Sequence, residues 1–193
     1  MRRCARHIIE LQNNKGGFIV TMQESSKNIT LIGMPGAGKS TLGVVLAKRR
    51  GLRFVDTDLL IQEGSGRLLS QIIEQDGLDA FLDYENKVLA GLECTGHVIS
   101  TGGSACYGAE AMAHLKAMST VVYIDIPLDE MLRRLGDLVK RGVAIRPGLT
   151  IQDVYEERKP LYEKYADIIF TSGRMSTREA VESLDELLTQ HGL

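Results

Sequence analysis

The stretch Asn28-Ile29-Thr30-Leu31-Ile32-Gly33-Met34-Pro35-Gly36-Ala37-Gly38-Lys39-Ser40-Thr41-Leu42 decides how this chain is read. Residues 33–41 fill every fixed position of the phosphate-binding loop G-x-x-x-x-G-K-[ST]. The β-branched, apolar run at 28–32 predicts a strand ahead of the loop. Leu42-Gly43-Val44-Val45-Leu46-Ala47-Lys48 carries apolar side chains at helical spacing behind it. A glycine-rich turn between strand and helix aims backbone amides at a polyphosphate, and the helix presents its positive end to the same anion. Gly36, Ala37, Gly38, Lys39, Ser40 and Thr41 then form the cradle. Lys39 reaches the terminal phosphates and the Ser40 hydroxyl ligates Mg²⁺. A glycine turn that binds nothing would have no need of these flanks, so a nucleoside triphosphate is the expected ligand.

The 193 residues fit one domain whose core needs no disulfide or metal staple. At 44% hydrophobic and 25% charged, the composition is that of an ordinary globular domain. A net charge of −2 gives no reason to expect nucleic acid as a partner. Cys4, Cys94 and Cys106 are odd in number and lack metal-ligand spacing, which suits a reducing, cytoplasmic setting. No apolar run approaches a membrane span, so no membrane partner is expected.

Residues 1–27 read as an extension of unassigned role ahead of a single domain at 28–193. Arg2, Arg3 and Arg6 are not followed by an apolar signal core, which argues against a secretory peptide. Ile8-Ile9 and Phe18-Ile19-Val20 predict short elements around a turn at Lys15-Gly16-Gly17. Met22 is an alternative start.

Beyond the loop, strand and helix alternate. Arg53-Phe54-Val55 predicts a second strand ending in Asp56-Thr57-Asp58. Two helical patches follow, the second with Phe81, Tyr84, Val88 and Leu92 along one face. His97–Ser100 predicts a third strand running into Thr101-Gly102-Gly103-Ser104. Thr120–Ile124 predicts a fourth, apolar throughout as a doubly buried strand should be, and Asp167–Phe170 a fifth. Ser176 and Glu179 form a capping box that opens a last helix with Val181, Leu184 and Leu188 facing the core. The alternation implies a parallel sheet with helices on both faces, and ligands beyond the strands' carboxyl ends. The phosphate loop, Asp56/Asp58 and Gly102/Gly103 all fall at such ends.

In isolation, carboxylates at 56 and 58 are more often a turn or helix-cap pair. Beside a phosphate loop, one can hold Mg²⁺ through water while the other orients or deprotonates a substrate hydroxyl.

With these residues in view, the chain from about Asn28 to its end resembles the shikimate kinase family. The resemblance rests on the loop at 33–41, Asp56-Thr57-Asp58, Thr101-Gly102-Gly103, Arg146-Pro147, and Arg158-Lys159-Pro160-Leu161-Tyr162 followed by Ala166-Asp167. It implies a three-layer α/β/α P-loop kinase fold with a five-stranded parallel sheet and a mobile lid. The implied reaction moves the γ-phosphate of ATP to a small alcohol. By the resemblance Asp56 helps place the metal, Asp58 contacts the attacking hydroxyl, and Gly102 and Gly103 lie on the substrate. Arg146 closes over ATP, and Arg158 holds the substrate carboxylate. Lys39, Asp58 and Arg146 are the expected catalytic set. Arg134 and the Ser172-Gly173-Arg174 turn are candidates for the adenine.

The physics agrees, since phosphoryl transfer needs positioning and positive charge around the equatorial oxygens more than covalent help. The expected lid, about 134–149, holds Arg134, Lys140, Arg141 and Arg146 among Gly136, Gly142 and Gly148. A solvated basic loop is the plainer reading of such a segment, but a hinged one excludes water during transfer.

Two positions depart from the family pattern. Leu82 stands where an arginine clamps the substrate carboxylate, three residues before Glu85, and Ser104 replaces a third glycine. Glu85 then either points to solvent, pairs with Lys87 or another basic side chain, or meets a cation brought by the substrate. The expected acceptor is therefore shikimate first, with another small hydroxy acid such as homoserine second. A nucleotide-binding module without turnover is a third reading, against which Lys39, Ser40, Asp56 and Asp58 all argue. The expected partner is a small molecule, and the expected state a monomer.

Overall fold

The computed structural model describes residues 9–12, 18–21, 27–135, 144–146 and 148–193. Strands β1 (Ile9–Gln12) and β2 (Phe18–Thr21) form an antiparallel pair with Ile9 opposite Thr21 and Gln12 opposite Phe18. These are the short elements predicted in the extension, and their connecting turn lies outside the described residues.

The main sheet has five parallel strands, β3 (Asn28–Ile32), β4 (Arg53–Asp56), β5 (His97–Ser100), β6 (Ser119–Asp125) and β7 (Ile168–Thr171). Their order is β4-β5-β3-β6-β7, with β3 in the middle and buried along its whole length. Each predicted strand is present within two residues. Leu31 and Asp56 are both in register with Ser100, so the ends of β3, β4 and β5 lie level and side by side. That register delivers the phosphate loop, the aspartates and the Thr101-Gly102-Gly103 turn to one rim.

Eight α-helices cover the sheet among the described residues. Helix α1 (Lys39–Arg50) buries Leu42, Leu46 and Ala47, and it stops at Gly51, a left-handed C-cap preceded by Lys48, Arg49 and Arg50. The two predicted helical patches resolve into three helices, α2 (Thr57–Ser65), α3 (Leu69–Asp76) and α4 (Leu78–Ala90). The buried line of α4 is Phe81, Glu85 and Leu89. Tyr84 and Val88 are only partly covered, and Leu92 lies past the helix end. Sequence periodicity chose the neighbouring line because a glutamate does not score as a core residue.

Helices α5 (Ala109–Met118), α6 (Leu128–Leu135), α7 (Ile151–Tyr165) and α8 (Thr177–Gln190) complete the fold. Ser176 and Glu179 cap α8 reciprocally, as predicted. Arg158 lies inside α7, and Pro160 is accommodated within the same helix. Helix α1 packs on α8 and α4 on α5, in the three-layer arrangement the sequence implies. A smaller apolar cluster of Ile61, Ile72, Phe81 and Ala144, with Leu82 against it, sits apart from the main core. Among the described residues, no helix is long and apolar enough to cross a membrane.

Candidate active site

The phosphate loop is held ready by its own backbone. The ammonium of Lys39 is buried and donates to the carbonyls of Gly33 at 2.8 Å and Met34 at 2.9 Å. Burial lowers its pKa to about 8, with Asp58 and Asp56 opposing the shift. The Ser40 hydroxyl lies 3.2 Å from that of Ser100. Arg134 reaches the loop from α6, its Nη1 3.4 Å from the carbonyls of Gly36 and Ala37 and its Nη2 donating to Gly173 at 3.1 Å. The structure thus brings together the two features expected near the adenine. Glu130 fixes this arginine through a 2.6 Å bond to Nε, one turn away on the same helix. Hydrogen bonds from Arg133 and Arg134 hold the Glu130 carboxyl down to about 2.

Asp56 and Asp58 sit where β4 becomes α2. The Oδ1 of Asp56 accepts the Asp58 amide at 3.0 Å, so this residue does cap a helix. Its carboxylate and the Ser40 hydroxyl are hard oxygen donors, few in number and beside a phosphate cradle. That set suits Mg²⁺, which is usually held by one or two protein oxygens plus substrate phosphates.

The Oδ1 of Asp58 is buried and has no hydrogen-bond partner. Burial, then the Asp56 charge, raise its pKa to about 6, while Lys39 pulls the other way. Glu85 is only 1% exposed, and its Oε1 is likewise unpartnered. Both carboxyls close on Gly102, where an added Cβ would meet Glu85 Oε1 and lie 2.8 Å from Asp58 Oδ1. The readings of Glu85 as solvent-facing or paired with Lys87 are therefore corrected. The α4 core line carries it inward, where burial pushes its pKa up to about 7 and a hydrogen bond with Ser104 opposes the rise. Of the two departures from the family pattern, Ser104 bears on this carboxyl directly through that hydrogen bond, whereas Leu82 packs against the cluster of Ile61, Ile72, Phe81 and Ala144.

Gly103 joins the phosphate loop to α7. A Cβ on it would stand 2.8 Å from both Cδ and Cγ of Pro35. Its carbonyl accepts from Arg158 Nη1 at 3.0 Å and from the Tyr162 hydroxyl at 2.5 Å. Arg158 also donates to the Tyr107 hydroxyl at 3.1 Å and to the Ala144 carbonyl, and its guanidinium lies over the Tyr107 ring. Arg146, Arg158, Leu82, Tyr107 and Leu149 line one pocket. Cys106 is buried nearby with its thiol pushed up to about 11, which makes it an inert packing residue.

Of the expected lid, positions 136–143 and 147, including Lys140, Arg141, Gly136 and Gly142, lie outside the described residues. Sequence reasoning missed Ser100, Tyr107, Glu130 and the role of Tyr162. Glu130 was readable as an i,i+4 partner of Arg134. The other three carry no local signal, since only the strand register and α7 bring them to the rim.

Level strand ends that share a phosphate cradle and a buried, unpartnered aspartate meet the needs of phosphoryl transfer to a small acceptor. Fold and site together define a P-loop kinase. A sequence profile of the shikimate kinase family matches residues 35–189. A shikimate kinase from Haemophilus influenzae is 32% identical over 166 residues, covering 84% of this chain and 92% of its own. One from Sulfurihydrogenibium is 35% identical over 165 residues, covering 85% and 97%. The structure is similar to that of an Acinetobacter baumannii shikimate kinase in complex with shikimate. That likeness has a TM-score of 0.79 and 30% identity over 88% of this chain and 97% of the other. The chain belongs to the shikimate kinase family.

Proposed function

We propose that this protein transfers the γ-phosphate of ATP to a hydroxyl of shikimate, giving shikimate 3-phosphate, with Mg²⁺ as the metal. The observation that carries the reading is the Oδ1 of Asp58, buried and unpartnered at the rim shared with the phosphate loop. An acceptor hydroxyl there gives that oxygen a donor, and Asp58 orients the hydroxyl and takes up its proton. Lys39 exchanges the Gly33 and Met34 carbonyls for phosphate oxygens, and Arg134 stands over the loop beside it. Mg²⁺ supplies charge neutralisation at the phosphates, with Ser40 and Asp56 as its protein ligands. Gly102 leaves room for the acceptor between Asp58 and Glu85, and Arg158 faces its carboxylate. Residues 28–193 act as one domain, with a lid over about 134–149, and the protein works as a cytoplasmic monomer on small molecules.

An amino-acid acceptor such as homoserine has less support. Glu85, with a pKa near neutrality and a Ser104 hydroxyl against it, does not require an ammonium from the substrate. The test is ADP release measured with shikimate, homoserine, gluconate and buffer alone, with the product identified by mass. Turnover with shikimate alone is expected. Release no faster than in buffer, or faster with homoserine, would overturn the reading.

A further inference from the structure

We infer that Ser100 orients the Ser40 hydroxyl for the metal, accepting its hydrogen bond so that a lone pair of Ser40 faces Mg²⁺. This rests on the proposed function, in which Ser40 is a metal ligand, and adds a positioning residue to it. A serine hydroxyl has one proton and two lone pairs. To ligate a cation it must turn a lone pair toward the ion and send its proton to another acceptor. Mg²⁺ tolerates little departure from octahedral geometry, so a ligand free to spin holds it poorly.

Ser40 has little else to steady it. It stands in the first turn of α1 and is exposed, whereas its neighbour Lys39 is buried. Among the described residues, the Ser100 hydroxyl, 3.2 Å away, is the one hydrogen-bond partner of its side chain. Asp56 is engaged elsewhere, since its Oδ1 accepts the Asp58 amide.

Ser100 is fully buried and held from both sides. It is the last residue of β5, paired with Leu31 of β3 and with Asp56 of β4. It therefore lies between the strand that feeds the phosphate loop and the strand that ends in the other proposed metal ligand. The next residue locks this strand end, as the Thr101 amide and hydroxyl both donate to the Leu31 carbonyl. Helix α1 packs across β5 and brings Ser40 to this point. Either hydroxyl can donate in the pair. A cation on Ser40 leaves Ser40 as the donor and Ser100 as the acceptor. A buried hydroxyl on a fixed strand thus gives an exposed ligand a single direction, as outer partners do in metal sites generally.

The test is calorimetric binding of a non-hydrolysable ATP analogue in Mg²⁺ and in EDTA, for wild type, Ser100→Ala, Ser40→Ala and the double variant. Ser100→Ala should weaken binding in Mg²⁺ roughly three- to tenfold, the range of one ordinary hydrogen bond, and leave binding in EDTA within about twofold. Ser100→Cys, which keeps the bulk but is a weak acceptor, should do the same. In the Ser40→Ala background the change at Ser100 should cost nothing further, because it acts through Ser40. Equal losses in Mg²⁺ and in EDTA would make Ser100 a packing residue of the cradle and overturn the inference. So would full additivity in the double variant. A wild type that binds the analogue equally in Mg²⁺ and in EDTA would sink the metal assignment and this inference together. A metal-dependent wild type with unaffected Ser100 variants would sink this inference alone.

Discussion

Tyr162 donates a 2.5 Å hydrogen bond to the carbonyl of Gly103, which ties the middle of α7 to the turn that follows β5. Tyr162 is fully buried and stacks on Tyr123, with ring centroids 5.1 Å apart. Tyr162→Phe keeps the ring and removes only the hydroxyl, while Arg158 still donates to the same carbonyl. The expected cost is about 0.5–1.5 kcal/mol, read as a lower urea midpoint at unchanged slope. The KM for shikimate should rise a few-fold, since Gly103 and Arg158 lose a shared anchor, and the KM for ATP should not change. Unchanged stability would mean that the carbonyl needs only the arginine.

Glu85 should make stability fall as pH rises. Its carboxyl, ordinarily at 4.5, is raised to about 7 by burial, so between those values the folded protein holds a proton that the unfolded chain has released. Stability from this residue is full below the ordinary value and declines toward neutrality, by on the order of 3 kcal/mol. Glu85→Gln should remove that slope, stabilising the metal-free protein at about pH 8 more than at about pH 5. Equal urea-midpoint differences at both pH values would show that the carboxyl keeps its charge on folding.

Glu130 is expected to act on the nucleotide side through Arg134, whose guanidinium it holds against the phosphate loop. It is buried, and both Arg133 and Arg134 donate to it. Glu130→Gln keeps the shape but gives up the charge that holds the guanidinium over Gly36 and Ala37. A several-fold rise in the KM for ATP is expected, with the KM for shikimate unchanged, and Arg134→Gln should show the same pattern more strongly. Kinetics unaffected by both variants would remove Arg134 from nucleotide binding.

Gly103→Ala tests the seam between the turn after β5 and the phosphate loop. The new methyl would lie 2.8 Å from two ring carbons of Pro35, and a proline ring cannot swing aside. Overpacking of this kind costs about 1–3 kcal/mol. Because Pro35 belongs to the loop, ATP binding measured by calorimetry should weaken along with stability. A variant with wild-type ATP affinity would show that the two turns move independently.

Much of this molecule was legible in the linear chain. The phosphate loop, the five strands, the Ser176/Glu179 cap and the short pair at the N-terminal side all follow from local rules. Backbone geometry, apolar spacing and capping each act over a few residues. The helices around Glu85 were read one line off, because a buried carboxyl is indistinguishable in sequence from a solvated one.

The chain by itself determined that a polyphosphate is cradled at 33–41, since G-x-x-x-x-G-K-[ST] between strand and helix dictates its own conformation. Tertiary structure decided what surrounds that cradle. Strand register brought Ser100 to Ser40, and the α4 core line carried Glu85 to Gly102. Packing of α6 and α7 set Arg134 over the loop while Arg146 borders the pocket of Arg158 and Leu82. These are contacts and desolvation between residues tens of positions apart, and no spacing along the chain encodes them.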